Sequence, residues 1–81
     1  MYHVYILRCA DDTLYTGIAT ELQRRIDEHN HSSKGAKYTM CRRPVTLVYS
    51  EIYEDRSSAS RREHEIKKKM TRAQKLNLIK D

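Results

Sequence analysis

The sequence predicts a small α/β (α+β) fold: a three-stranded sheet, opened by an antiparallel hairpin and flanked by helices, in the order β-β-α-β-α-α. Three observations predict it. The N-terminal run Tyr2–Cys9 is apolar on both faces, a polar turn sends the chain straight back, and later blocks repeat apolar residues at helical spacing around one more β-rich run. A chain of 81 residues has room for a single domain, expected over 1–81, with one modest core.

In Tyr2–Cys9, Tyr2, Val4 and Ile6 line one face and Tyr5 and Leu7 the other, which suits a central strand. Ala10-Asp11-Asp12-Thr13 is turn chemistry, since short acidic side chains bond nearby backbone, and Leu14–Ile18 returns as the second arm. Thr20 is placed to cap a helix running to about Asn30, with Glu21 against its dipole. His31–Lys37 reads as an exposed loop and Tyr38–Arg43 as a short turn or helix before Pro44. Val45–Tyr53, rich in Val, Leu, Ile and Tyr, is the third strand. Ser57 or Ser58 is expected to cap a helix ending near Met70. Thr71 is expected to cap a last short helix with Ala73, Leu76 and Ile79 on one side.

The chain has neither Trp nor Phe, so its six tyrosines carry the aromatic packing and each buried hydroxyl needs a partner. Sixteen Lys and Arg against eleven Asp and Glu give +5, which favours polyanions such as nucleic acid. Cys9 and Cys41 form no C-x-x-C pair or disulfide framework and fit a reducing cytosol. No stretch approaches membrane-spanning length, and no charged-then-apolar leader opens the chain, so a cytoplasmic protein is expected. The histidines lack zinc-finger spacing, and two glycines in all exclude a glycine-rich phosphate loop.

Helical phase singles out a few polar side chains. With Leu22 at zero, Ile26 falls at about 40°, His29 at about 340° and Arg25 at about 300°, whereas Arg24 falls at about 200°, facing water. Arg25 and His29 therefore edge the apolar stripe. There they either line a cleft or, respectively, extend along the surface and pack with a satisfied ring. On the later helix, with Ala59 at zero, Glu63 falls at about 40°, among Ala59, Ile66 and Met70, while Glu65 points away. A carboxylate there needs an ion pair with Arg25, a proton, or a bound cation. Most of the cationic clusters Arg42-Arg43, Arg61-Arg62 and Lys67-Lys68-Lys69 are solvated faces; as a phosphate-binding surface they would give salt-dependent affinity blind to sequence.

Tyr5, then Tyr15-Thr16-Gly17 ten residues on across a hairpin, then Arg25 and His29 on the next helix, resembles the GIY-YIG nuclease signature. Ala59-Ser60-Arg61-Arg62-Glu63 is similar to the later helix motif, in which an Ala precedes a metal-binding Glu by four. Gly35-Ala36-Lys37-Tyr38-Thr39, Arg42-Arg43-Pro44 and Leu47-Val48-Tyr49 resemble the small stand-alone bacterial branch of that superfamily. The resemblance covers nearly the whole chain in order. The first motif here reads His3-Val4-Tyr5, without the Gly, and the second reads Tyr-Thr-Gly. Met40-Cys41 stands where a more polar pair is usual, and the asparagine that many members carry after the Glu helix has no clear counterpart.

The resemblance implies the GIY-YIG fold, with its antiparallel three-stranded sheet, and hydrolysis of phosphodiesters using one divalent ion, Mg²⁺ or Mn²⁺. It implies Glu63 as the metal ligand, Arg25 on the scissile phosphate, Tyr5 as general base and Tyr15 orienting water or phosphate. His29 would accept a hydrogen bond from a tyrosine hydroxyl or bind phosphate. Nearby cations are expected to lower the tyrosine pKa from its usual value of about 10. Gly17 would let substrate or a helix approach the strand. Lys37, Arg42, Arg43, Arg62 and Lys67 are the expected nucleic-acid contacts, with DNA preferred to RNA. A non-catalytic nucleic-acid-binding module with the same fold is the alternative; a protein-interaction domain with its tyrosines in the core is a further one.

Overall fold

The computed structural model describes residues 1–80; the last residue of the expected domain, Asp81, lies outside them. Strands β1 (Tyr2–Arg8), β2 (Leu14–Ala19) and β3 (Thr46–Tyr53) form one antiparallel sheet in the order β2-β1-β3. The central place of β1 follows from its sequence, because Val4, Tyr5, Ile6 and Leu7 are all buried and only a strand covered on both faces can bury consecutive residues.

Each face carries its own core. Tyr5, Leu7 and Cys9 pack with Ile26 and Val45 beneath helix α1 (Leu22–His31). Val4 and Ile6 pack on the other side with Ala59 and Ile66, from helix α3 (Arg56–His64) and its π-helical continuation Glu65–Lys69. Short α2 (Lys37–Met40) leads towards β3, and α4 (Arg72–Lys80) closes the second core. The single core expected from chain length is thus two thin ones separated by the sheet.

The β-β-α-β-α-α order holds, with α2 added, and the departures have local causes. The β1–β2 turn is closed by Asp11, whose carboxylate accepts from the Thr13 amide and hydroxyl at 3.2 and 2.6 Å, while Asp12 takes a left-handed φ of 68°. Because β2 continues through Ala19, Thr20 falls too early to cap α1. Glu21 holds that position and makes no side-chain cap bond. Asp55, not Ser57 or Ser58, caps α3, its carboxylate accepting from the Ser58 amide at 2.7 Å. Thr71 does cap α4, in a reciprocal pair with Gln74. On α4 it is Leu78 and Ile79 that reach the core, while Leu76 stays exposed. The 31–37 segment is a largely exposed loop once α1 ends at His31, and within it Gly35 packs so tightly on α1 that a Cβ there would meet the Glu28 carbonyl at 2.8 Å.

Candidate active site

Cross-strand pairing sets Tyr5 opposite Gly17 and Leu7 opposite Tyr15, so all four stand on the α1 side of the sheet. A Cβ at Gly17 would lie 2.6 Å from Tyr5 Cζ and nearer still to Oη. The group that needs the bare backbone at Gly17 is therefore the Tyr5 phenol lying across β2, not a helix packed there.

His29 is the hub. It is fully buried, with Tyr5 Oη 2.9 Å from Nε2 and Thr39 Oγ1 2.8 Å from Nδ1, and the Tyr15 ring meets it edge-on with centroids 5.3 Å apart. Tyr38 stacks on Tyr15 in turn at 5.8 Å. Of the two readings considered from sequence, the packed ring with both nitrogens satisfied is the one formed. Arg25 anchors its Nη1 on the Glu28 carboxylate at 3.0 Å and the Lys34 carbonyl at 2.8 Å. Its side chain is 29% exposed and that of Arg24 71%, the contrast that helical phase requires.

Glu63 is half-buried on α3, on the side of Ala59 and Ile66. Helix α3 lies on the opposite sheet face from α1, yet it and its π continuation touch the edge strand β2. Lys67, one turn beyond Glu63, brings its ammonium 5.4 Å from the centre of the Tyr15 ring. Among the described residues Glu63 makes no ion pair, and Arg25 pairs with Glu28, so the bridge considered from sequence is not formed.

The site's electrostatics tie these groups together. Burial pushes the Tyr5 hydroxyl up to about 12; Arg25 pulls it down, while Tyr15 and the Glu63 carboxylate push it further up. Tyr15 is raised by burial, lowered by Arg25 and raised again by Glu63. The expected lowering by cations is thus present but outweighed, because burial disfavours a phenolate more than one guanidinium favours it. His29 is held down to about 4 by burial and then Arg25, with Glu28 opposing and Arg43 adding, so its ring is neutral at pH 7.

No three His, Cys, Asp or Glu side chains cluster as a metal cage among the described residues. A lone, unpaired carboxylate fits a hydrated Mg²⁺ or Mn²⁺ ion, which keeps several waters and takes few protein ligands, and it does not fit zinc.

The expected nucleic-acid contacts divide. Lys37 and Lys67 are exposed. Arg42 lies 4.0 Å over the Tyr38 ring and pairs with Asp11 at 3.0 Å. Arg43 turns inward, donating from Nε and Nη2 to the carbonyls of His29, Glu28 and Ser32 at the end of α1. Arg62 is held by Glu51 at 2.9 Å and Glu65 at 2.6 Å. Arg43 and Arg62 are thus engaged within the fold: carbonyls at a helix C-terminus and a nearby carboxylate hold their guanidinium groups. Sequence reasoning gave no role to Thr39 or Tyr38; only the Lys37-Tyr38-Thr39 resemblance pointed near them.

The chain matches the GIY-YIG catalytic domain over residues 1–77. It belongs to the GIY-YIG family. A UPF0213 protein of Desulfotalea psychrophila is 57% identical over 79 residues, covering 98% of this chain and 71% of that one. A Staphylococcus aureus UPF0213 protein is 52% identical over 80 residues, covering 99% and 95%. The solution structure of a Bacillus halodurans UPF0213 protein superposes with a TM-score of 0.62 at 42% identity, covering 99% of this chain and 84% of that one. One from E. faecalis gives 0.65 at 41%, covering 98% and 82%. This GIY-YIG domain is therefore similar to small single-domain proteins along nearly its whole length. No described helix is long and apolar enough to cross a membrane.

Proposed function

We propose that the chain is a metal-dependent endonuclease of the cytoplasm that hydrolyses phosphodiester bonds in nucleic acid, DNA in preference to RNA. The observation that carries this reading is the gathering of Tyr5 and Tyr15 on the His29 ring, with Arg25 one turn before it, at a strand edge touched by the helix that bears the half-buried, unpaired Glu63 and sets Lys67 5.4 Å from the Tyr15 ring. A domain that only bound nucleic acid would gain nothing from a half-buried acidic group without an ion-pair partner, since that group repels phosphate.

In this reading Glu63 holds one Mg²⁺ or Mn²⁺ ion, which when bound supplies positive charge to the phosphate and the departing oxygen. Arg25, held by Glu28 and the Lys34 carbonyl, offsets the charge that builds on the phosphate oxygens. Tyr5 takes the proton of the attacking water and Tyr15 orients water or phosphate. With its hydroxyl pushed up to about 12, Tyr5 is ionised to only about one part in 10⁵ at pH 7, so cleavage is expected to rise with pH above neutrality. Lys37 and Lys67 contact flanking phosphates, and Arg42 joins them if Asp11 releases it.

The experiment is cleavage of labelled single-stranded, duplex and branched DNA and RNA with Mg²⁺ and with Mn²⁺. Glu63→Gln is expected to abolish cleavage with the fold intact. Arg25→Ala is expected to lose about 10²-fold in rate, the scale of one transition-state charge contact, while Arg24→Ala stays within about a few-fold of wild type. Wild-type cleavage by Glu63→Gln, or equal losses at Arg24 and Arg25, would refute these assignments.

A further inference from the structure

The hydrogen bonds around His29 determine which of its ring nitrogens carries the proton. The backbone N–H of Ala36, which can only donate, is aimed at Nδ1 from 3.4 Å. Thr39 Oγ1 lies 2.8 Å from the same nitrogen and 2.9 Å from the Ala36 carbonyl, and its single hydroxyl proton can serve only one of them. That carbonyl already accepts the amides of Thr39 at 3.0 Å and Met40 at 3.2 Å, whereas among the described residues Nδ1 has only the longer contact from the Ala36 amide besides Thr39. Both donors therefore favour a bare Nδ1, and the one ring proton of a neutral His29 is then on Nε2, facing Tyr5 Oη at 2.9 Å.

We infer that Thr39 is a positioning residue of the site: with the Ala36 amide it fixes His29 as the Nε2–H tautomer, which donates to the Tyr5 oxygen. This reverses the polarity expected from sequence, in which His29 accepts from a tyrosine. The consequence for chemistry is direct. An accepting His29 would hold the Tyr5 proton and turn the phenol inward. A donating His29 leaves that proton free to turn away from the ring and supplies one hydrogen bond to the phenolate once the proton has left. Thr39 and His29 are both fully buried, so water does not compete for either bond. The tight seat of Gly35 on α1 holds the Ala36–Thr39 turn against the ring. The inference about Tyr5 as an active group rests on the nuclease reading; the tautomer itself does not.

The test is long-range ¹H–¹⁵N correlation of the His29 ring at pH 7 in the full chain without substrate or metal. Wild type and Thr39→Ser are expected to show a protonated Nε2 and a bare Nδ1. Thr39→Val, nearly isosteric, removes the hydroxyl donor while the Ala36 amide stays, and is expected to keep Nε2 protonated but shift the Nδ1 ¹⁵N resonance towards that of a ring nitrogen accepting no strong hydrogen bond. In cleavage assays the same variant is expected to lose about 10-fold in kcat with KM nearly unchanged, and Thr39→Ser to recover most of it. A wild-type ring protonated on Nδ1 overturns the proposal. A Thr39→Val spectrum identical to wild type removes Thr39 from the role. If no form of the protein cleaves nucleic acid, the nuclease reading fails, while the ring spectrum still decides the tautomer.

Discussion

Tyr5, Gly17, His29 and Thr39 form a chain of close fits in which each residue type is required by its neighbour. The phenol needs a glycine beneath it, its oxygen meets a ring nitrogen, and the ring's other nitrogen needs a donor. Burial of a neutral imidazole has a measurable consequence. A folded-state pKa of about 4 lies below the ordinary value of 6.5, so the fold disfavours the protonated ring. The stability this contributes is present above pH 6.5 and is lost as pH falls from 6.5 towards 4, by about 3 kcal/mol over that interval. Urea unfolding at steps between pH 7 and 4.5, with the His29 ring signal followed alongside, checks this. A ring that titrates near 6.5 in the folded protein, or a flat stability profile, would contradict it.

At the level of elements, helix ends were the least legible part of the sequence. Ser57, Ser58 and Asp55 are all acceptable caps by composition, and a charged carboxylate three residues ahead of the Ser58 amide takes the position. Asp55→Ala is expected to lower stability by about 1 kcal/mol, and Ser57→Ala to change it little, in thermal melts compared at one pH. A larger loss at Ser57 would move the start of α3. The other end of that helix was also hidden: nothing in Glu65–Lys69 marks the π turn through which α3 continues to Met70. Arg43 at the C-terminus of α1 was likewise invisible, since its partners are backbone carbonyls more than ten residues away.

Across the whole molecule, the +5 charge is distributed so that Lys67, Lys68 and Lys69 remain exposed, Lys67 beside the Tyr15 ring, while Arg43 and Arg62 are engaged internally. Affinity for nucleic acid is therefore expected to fall steeply with salt. Replacing the three lysines by Ala is expected to reduce the slope of log affinity against log salt by up to about 0.9 per lost duplex phosphate contact. Fluorescence anisotropy with one labelled duplex at several salt concentrations measures both slopes. Equal slopes for the two proteins would place the phosphate path elsewhere.

The sequence by itself determined the sheet's central strand, the hairpin, the order of elements and the separation of Arg25 from Arg24, because periodicity and burial act over a few residues. It also isolated Glu63 on an apolar face. Only the tertiary structure decided that the core is double, that Arg25 pairs with Glu28 and leaves Glu63 unpaired, and that Gly17 makes room for Tyr5. It alone decided that burial outweighs the cations at the tyrosine hydroxyls and that Thr39 and Ala36 hold His29. The physical reason is range: these outcomes depend on partners separated along the chain and on competition for a limited number of donors and acceptors, which local pattern does not encode.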